Sequence, residues 1–133
     1  MDELIEASNV IKWRSLLACF SQIDASYLPE YHQAYSLRVK NSTALLWHYT
    51  DGPDHFIYPF LLTPISLSLN ADRAQFSGYF DISSIYGYTG PLATNSSAEF
   101  LERAWRSFDE YAASQKIVAE FIRFSPFNRT ERF

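Results

Sequence analysis

Residues 79–124 read YFDISSIYGYTGPLATNSSAEFLERAWRSFDEYAASQKIVAEFIRF, and their pattern decides the fold. Residues 79–84 form a short strand pattern that runs into a loop over 85–95. Ser96-Ser97-Ala98-Glu99 then has the spacing of a capping box, in which a serine hydroxyl and a glutamate carboxylate satisfy each other's backbone N–H groups. Leu101, Ala104, Trp105, Phe108, Tyr111 and Ala112 recur at helical spacing, which predicts a helix to about Ser114. A last strand is expected over 117–124, closed by Pro126. Strand, helix and strand in this order imply a parallel pair joined by a crossover.

Upstream, strands are predicted over 43–49 and 55–65, flanking the turn Asp51-Gly52-Pro53-Asp54. Leu45, Trp47 and Tyr49 lie on one face of the first strand, Ala44 and Leu46 on the other. A strand apolar on both faces belongs in a sheet covered on both sides. Pro59 cannot donate to a ladder, so the second strand should carry a bulge or an unpaired edge there. Pro53 lacks the N–H that a two-residue Asp51-Gly52 turn would use, so a longer loop and a shifted register are expected. Helices are predicted over 9–20, where Val10, Trp13, Leu17 and Phe20 share a face, and from Pro29, with Tyr27, Tyr31 and Tyr35 on one side. Residues 66–78 read as a polar connection and 128–133 as a loose tail. The expected fold is α/β: one domain over residues 1–127, a mixed sheet with helices on both faces.

The 133 residues carry 15 acids against 11 bases, a net charge of −4. This acidic balance argues against nucleic acid as a general partner. Cys19 is the only cysteine, which excludes a disulfide scaffold and zinc motifs built on several cysteines, and its place beside an apolar stripe predicts a core position. His48 and His55 flank the hairpin without a third ligand, so no metal site is expected. The strongest apolar run, residues 56–62, is far shorter than a membrane span, and the acidic start does not resemble a signal peptide. The expected location is cytoplasmic, and the N-x-S/T triplets at Asn41, Asn95 and Asn128 are then chance occurrences. Ser83 and Ser84 have no elbow motif or neighbouring base, so they do not make a serine hydrolase. Glu120 and Arg123, three apart in a strand, point to opposite faces and need separate partners.

The chain has four glycines, and Gly78, Gly87 and Gly90 fall within thirteen residues. Glycine supplies positive φ or lets another group approach the backbone. The candidate site is therefore this segment, with Asp81, Ser84, Tyr86, Tyr88 and Gly90 as its substrate-binding residues. Two arrangements are distinguishable. A ligand cradle leaves the rings of Tyr86 and Tyr88 open, whereas a self-bonded turn buries them. No general base can be assigned, and Asp81 is the best-placed carboxylate.

The segments FDISSIYGYTGP (80–91) and AEFIRFSPF (119–127), with YLPEYHQAY (27–35) and HFIYPFLLTPI (55–65), resemble the first half of the FemAB-like branch of the GNAT superfamily. The resemblance spans roughly residues 24–127, and its most specific part is Tyr86-Gly87-Tyr88-Thr89-Gly90-Pro91. It implies a GNAT-like sheet and the acceptor-side domain of an acyl- or aminoacyltransferase that forms an amide on a cell-wall or polysaccharide precursor. Its partners would be that precursor, a second GNAT-like domain or a homodimer mate, and aminoacyl-tRNA as donor to the complete enzyme. Alternatives are a non-catalytic binding or assembly module and a stand-alone N-acetyltransferase using acetyl-coenzyme A. The sequence departs from the usual coenzyme-binding loop: Gly87 and Gly90 have the wrong spacing, and no Lys or Arg occurs between Arg73 and Arg103. No cofactor is therefore expected on this chain.

Overall fold

Thr43–Asp51 (β2) and Asp54–Pro64 (β3) form a long antiparallel hairpin. In the computed structural model, which describes residues 1–67 and 75–133, Asp51 pairs with Asp54 across a two-residue Gly52-Pro53 turn. Gly52 takes φ +60° and proline holds a negative φ, the combination of a type II′ turn. This corrects the longer loop expected there. The turn is two residues long but centred one residue later, so Pro53 sits where no ladder donor is required.

The remaining strands add around this hairpin. Asp2–Glu6 (β1), which the sequence pattern did not announce, pairs antiparallel with β2. Phe80–Ser83 (β4) pairs antiparallel with the end of β3, and Leu92–Ala93 (β5) pairs with its beginning. Ile117–Phe121 (β6) runs parallel to β4, with Val118 as an extra residue in its register. The described residues thus form one mixed sheet of six strands, in the order β1-β2-β3-β4-β6 with β5 beside β3. No bulge marks Pro59. His55 O accepts from Thr94 N and His55 N donates to Thr94 Oγ1, so the odd positions of β3 turn their backbone groups to the β5 side. Pro59 falls between Ile57, which pairs β5, and Leu61, which pairs β4. Its missing N–H lies where β3 has no neighbouring strand among the described residues.

Three helices cover the sheet: Val10–Leu17 (α1), Pro29–Ser36 (α2) and Ala98–Ser114 (α3). On one face Ala44, Leu46, Ile57 and Leu61 pack with Trp13, Leu17 and Tyr27. On the other, Leu45, Trp47, Phe56, Tyr58 and Phe60 pack with Phe100, Ala104 and Phe108 of α3. The α/β architecture with helices on both faces follows from the doubly apolar strands.

Several local expectations are corrected. The α3 cap is Ser97, whose Oγ accepts from Phe100 N at 3.4 Å, while Asn95 Oδ1 accepts from Ser97 N at 2.8 Å. Glu99 therefore sits one position too early for a capping box. α1 stops at Leu17, and Cys19 beyond it is exposed, not part of the core. α2 buries His32 against Trp13 and leaves Tyr31 outside. Residues 128–133 are not loose: Thr130 is fully buried, its Oγ1 donates to Thr89 O at 2.7 Å, and Phe133 packs on the α1 side of the core. Part of the predicted 66–78 connection lies outside the described residues.

Candidate functional site

The loop between β4 and β5 is held by its backbone from two sides. Behind it stand a 3-10 turn over Ala25–Tyr27 and the start of α2. Ser26 Oγ donates to Tyr88 O at 3.0 Å, Tyr27 Oη to Gly90 O at 3.3 Å, and Tyr31 Oη to Tyr86 O at 3.4 Å. Along its flank runs the chain after β6. Ser84 N donates to Phe121 O at 2.9 Å, Thr89 N to Arg123 O at 3.1 Å, and Ser125 N to Thr89 O at 3.0 Å. Three alternate carbonyls, at residues 86, 88 and 90, are thereby satisfied by hydroxyls from the same body of structure.

That bonding decides where the rings go. Tyr86 is 68% exposed and Tyr88 54% exposed. Gly87 and Gly90 take φ +104° and +89°, which lets the backbone reverse twice in four residues. A Cβ on Gly90 would sit 2.8 Å from Thr130 Oγ1, so the folded C-terminal segment also requires glycine there.

The tyrosines wall two hollows. One, of about 590 Å³, lies between Tyr88, Phe127 and Asn128 and the segment carrying Ile23, Asp24 and Ser26. Asp24 is already engaged: Oδ1 accepts from Ser26 N at 2.8 Å and Oδ2 from Asn128 Nδ2 at 3.2 Å. The other, of about 510 Å³, lies between Tyr86 and the exposed side of α2, where Tyr31, Tyr35 and Arg38 face it. Both fall in the range of small-molecule sites, about 300–1,000 Å³.

The predicted residues separate in space. Ser84 is buried and its Oγ accepts from Arg123 N at 3.0 Å, so it closes the seam between β4 and β6. Asp81 lies within β4, between Thr63 and Ala119, away from the loop tip. Burial raises its carboxyl above the usual range. Gly90 serves the backbone. Tyr86 and Tyr88 alone present side chains outward. The partners that the sequence did not single out are Ser26, Asp24, Arg38 and Phe127. They come from segments 50 to 65 residues earlier or some 40 later in the chain, so no local motif could announce them. Tyr31 and Tyr35 were legible as a helix face, but not as a wall opposite Tyr86.

Two histidine environments are specific. His32 Nε2 donates to Ser26 O at 2.8 Å and braces the residue that holds Tyr88. Burial pushes its imidazole down to about 4, and Nδ1 has no partner. His48 Nδ1 donates to Glu3 Oε1 at 3.1 Å, and its Nε2 lies 3.0 Å from His55 Nδ1. A carboxylate accepts only, so Glu3 fixes the His48 tautomer and the proton of the second contact belongs to His55. Elsewhere, Tyr58 Oη donates to Glu120 Oε1 at 2.5 Å, and the Arg123 guanidinium lies 5.1 Å from the Phe121 ring centre. Among the described residues there is no group of three His, Cys, Asp or Glu side chains placed to hold a metal ion, and no helix is long and apolar enough to cross a membrane. The chain matches no family model, no curated protein and no solved structure.

Proposed function

We propose that this chain is the acceptor-binding domain of a GNAT-like acyl- or aminoacyltransferase of the FemAB type, holding a cell-wall or polysaccharide precursor while an amide is formed on it. The observation that carries this reading is the open pair Tyr86 and Tyr88 on a loop whose backbone is tied off from behind. A rigid aromatic edge beside two hollows suits the apolar faces and hydroxyls of a sugar or peptide. Its contribution to catalysis is positional: an amine held in line with an acyl group gains from the entropy already lost on binding. The order β4, loop, α3, parallel β6 is consistent with the resemblance read in the sequence.

This reading gives coenzyme A no part on this chain. Ser84 N bonds to Phe121 O, Thr89 N to Arg123 O and Arg123 N to Ser84 Oγ, so the chain after β4 stays tied to β6 and its continuation. The N-terminus of α3 is capped by its own Ser97 and Asn95.

Calorimetry and NMR titration test the proposal together. Acetyl-coenzyme A should show no dissociation constant near or below 1 μM, about −8 kcal/mol. An oligosaccharide of N-acetylglucosamine, or the tripeptide Ala-Glu-Lys, should perturb the signals of the 86–90 loop. Tyr86→Ala and Tyr88→Ala should weaken that binding at least fivefold with little change in melting. Binding unaffected by both substitutions, or tight coenzyme A binding, would overturn the proposal.

A further inference from the structure

We propose that the hollow between α2 and Tyr86 is a subsite for an acidic sugar unit, with Arg38 reading a carboxylate or phosphate and the tyrosines holding the ring. This deepens the acceptor-binding proposal and rests on it.

The placement begins in the helix. Tyr31, Tyr35 and Arg38 follow at i, i+4 and i+7, one face of α2 continued into its C-terminal turn. That face looks across the hollow at Tyr86, and among the described residues no carboxylate lines it. Tyr31 Oη is tied to the backbone carbonyl of Tyr86, which holds α2 against the loop at this hollow.

Charge completes the argument. Among the described residues Lys12, Arg14, Arg103, Arg106 and Arg129 each form an ion pair with a carboxylate. Arg38, like Lys40, Lys116, Arg123 and Arg132, has no such pair among the described residues, and of these Arg38 is the one that lines this hollow. The neighbouring hollow beside Tyr88 carries the opposite sign in Asp24. The two sides of the loop thus differ in charge, and an anionic group is complemented on the Arg38 side alone. A guanidinium presents paired N–H donors that match carboxylate or phosphate oxygens, and aromatic rings take the C–H face of a hexose.

The test is an NMR titration of the whole chain with three separate probes: glucuronic acid, glucose 1-phosphate and N-acetylglucosamine. The acids should shift resonances of residues 31–38 and of Tyr86, and the glucuronate and phosphate arms identify which anion is preferred. Arg38→Gln, a surface change, should raise the dissociation constant of the preferred acid at least tenfold, and Arg38→Lys should recover part of it. Neither substitution should move N-acetylglucosamine more than twofold. Acid binding that is indifferent to Arg38→Gln, or shifts confined to the Tyr88 side, would overturn the subsite. If N-acetylglucosamine still binds in a Tyr88-dependent manner, the acceptor-binding proposal stands while the subsite falls. If none of the three probes perturbs the loop, the subsite falls, and the tripeptide titration then decides the acceptor-binding proposal.

Discussion

Gly90 and Gly87 have the same type of backbone and different surroundings. Both have positive φ, but only Gly90 meets another atom closely, Thr130 Oγ1 at 2.8 Å from an added Cβ. Thr130 is itself committed to Ser125 N and Thr89 O, so it cannot withdraw cheaply. Gly87→Ala should therefore cost about 1 kcal/mol of backbone strain, and Gly90→Ala clearly more, read as a loss in urea midpoint. The tyrosines divide in the same way. Tyr86→Phe and Tyr88→Phe remove exposed hydroxyls and should alter stability by less than about 0.5 kcal/mol. Tyr27→Phe strips a buried bond from Gly90 O and should cost roughly 0.5–1.5 kcal/mol. Equal losses at all three tyrosines would mean that the loop's hydroxyls are structural throughout.

At the scale of elements, α2 links the core to the loop through His32. Its ring lies on Trp13 and its Nε2–H holds Ser26 O, one residue from Tyr27 and in contact with the backbone of Tyr88 through Ser26 Oγ. Protonation would put a charge, and an N–H without an acceptor, on a buried Nδ1. The unfolded chain takes that proton near its ordinary value of about 6.5, whereas the folded chain resists it down to about 4. Between those values the unfolded state binds more protons, so stability falls as pH falls, by up to about 1.4 kcal/mol per pH unit. His48 is shifted in the same direction by burial, with Glu3 opposing. Denaturant unfolding between pH 8 and 4.5 should show full stability above pH 6.5 and a steady decline below it. His32→Asn should flatten that decline, and a slope unchanged by the substitution would place the proton uptake elsewhere.

For the whole molecule, the sheet ends on an open strand. Among the described residues β6 pairs only with β4, and Val118, Phe121, Phe124 and Phe127 are exposed along and beyond it. An unpaired apolar edge favours association with another strand or surface. Light scattering over a dilution series should reveal concentration-dependent association that Val118→Lys suppresses. A monodisperse monomer at high concentration would indicate that the edge is inert. The same edge favours a second reading of the chain, an assembly module, which predicts association without any loss on Tyr86→Ala.

The layers were legible in the residues themselves. Residues 44–47 and 56–61 are apolar at consecutive positions, so their strands had to be buried on both faces, and the stripe of α3 had to lie on one of them. It also marked the loop, because positive φ is written directly into glycine. What it did not carry was pairing that depends on distant residues. β1 has one buried side chain, Ile5, and becomes a strand by bonding to β2, 39 to 47 positions away. The last six residues are polar but for Phe133, yet they are held in place, because Thr130 finds the loop carbonyl of Thr89 and Phe133 reaches the core. Ser84 and Tyr86, two apart in one motif, part company for the same reason: the seam with β6 takes the serine hydroxyl, and the bonds to Ser26, Tyr27 and Tyr31 turn the tyrosine rings outward. Local chemistry selects the elements and their faces. Only the tertiary structure decides which polar atoms are used up internally and which are left for a ligand.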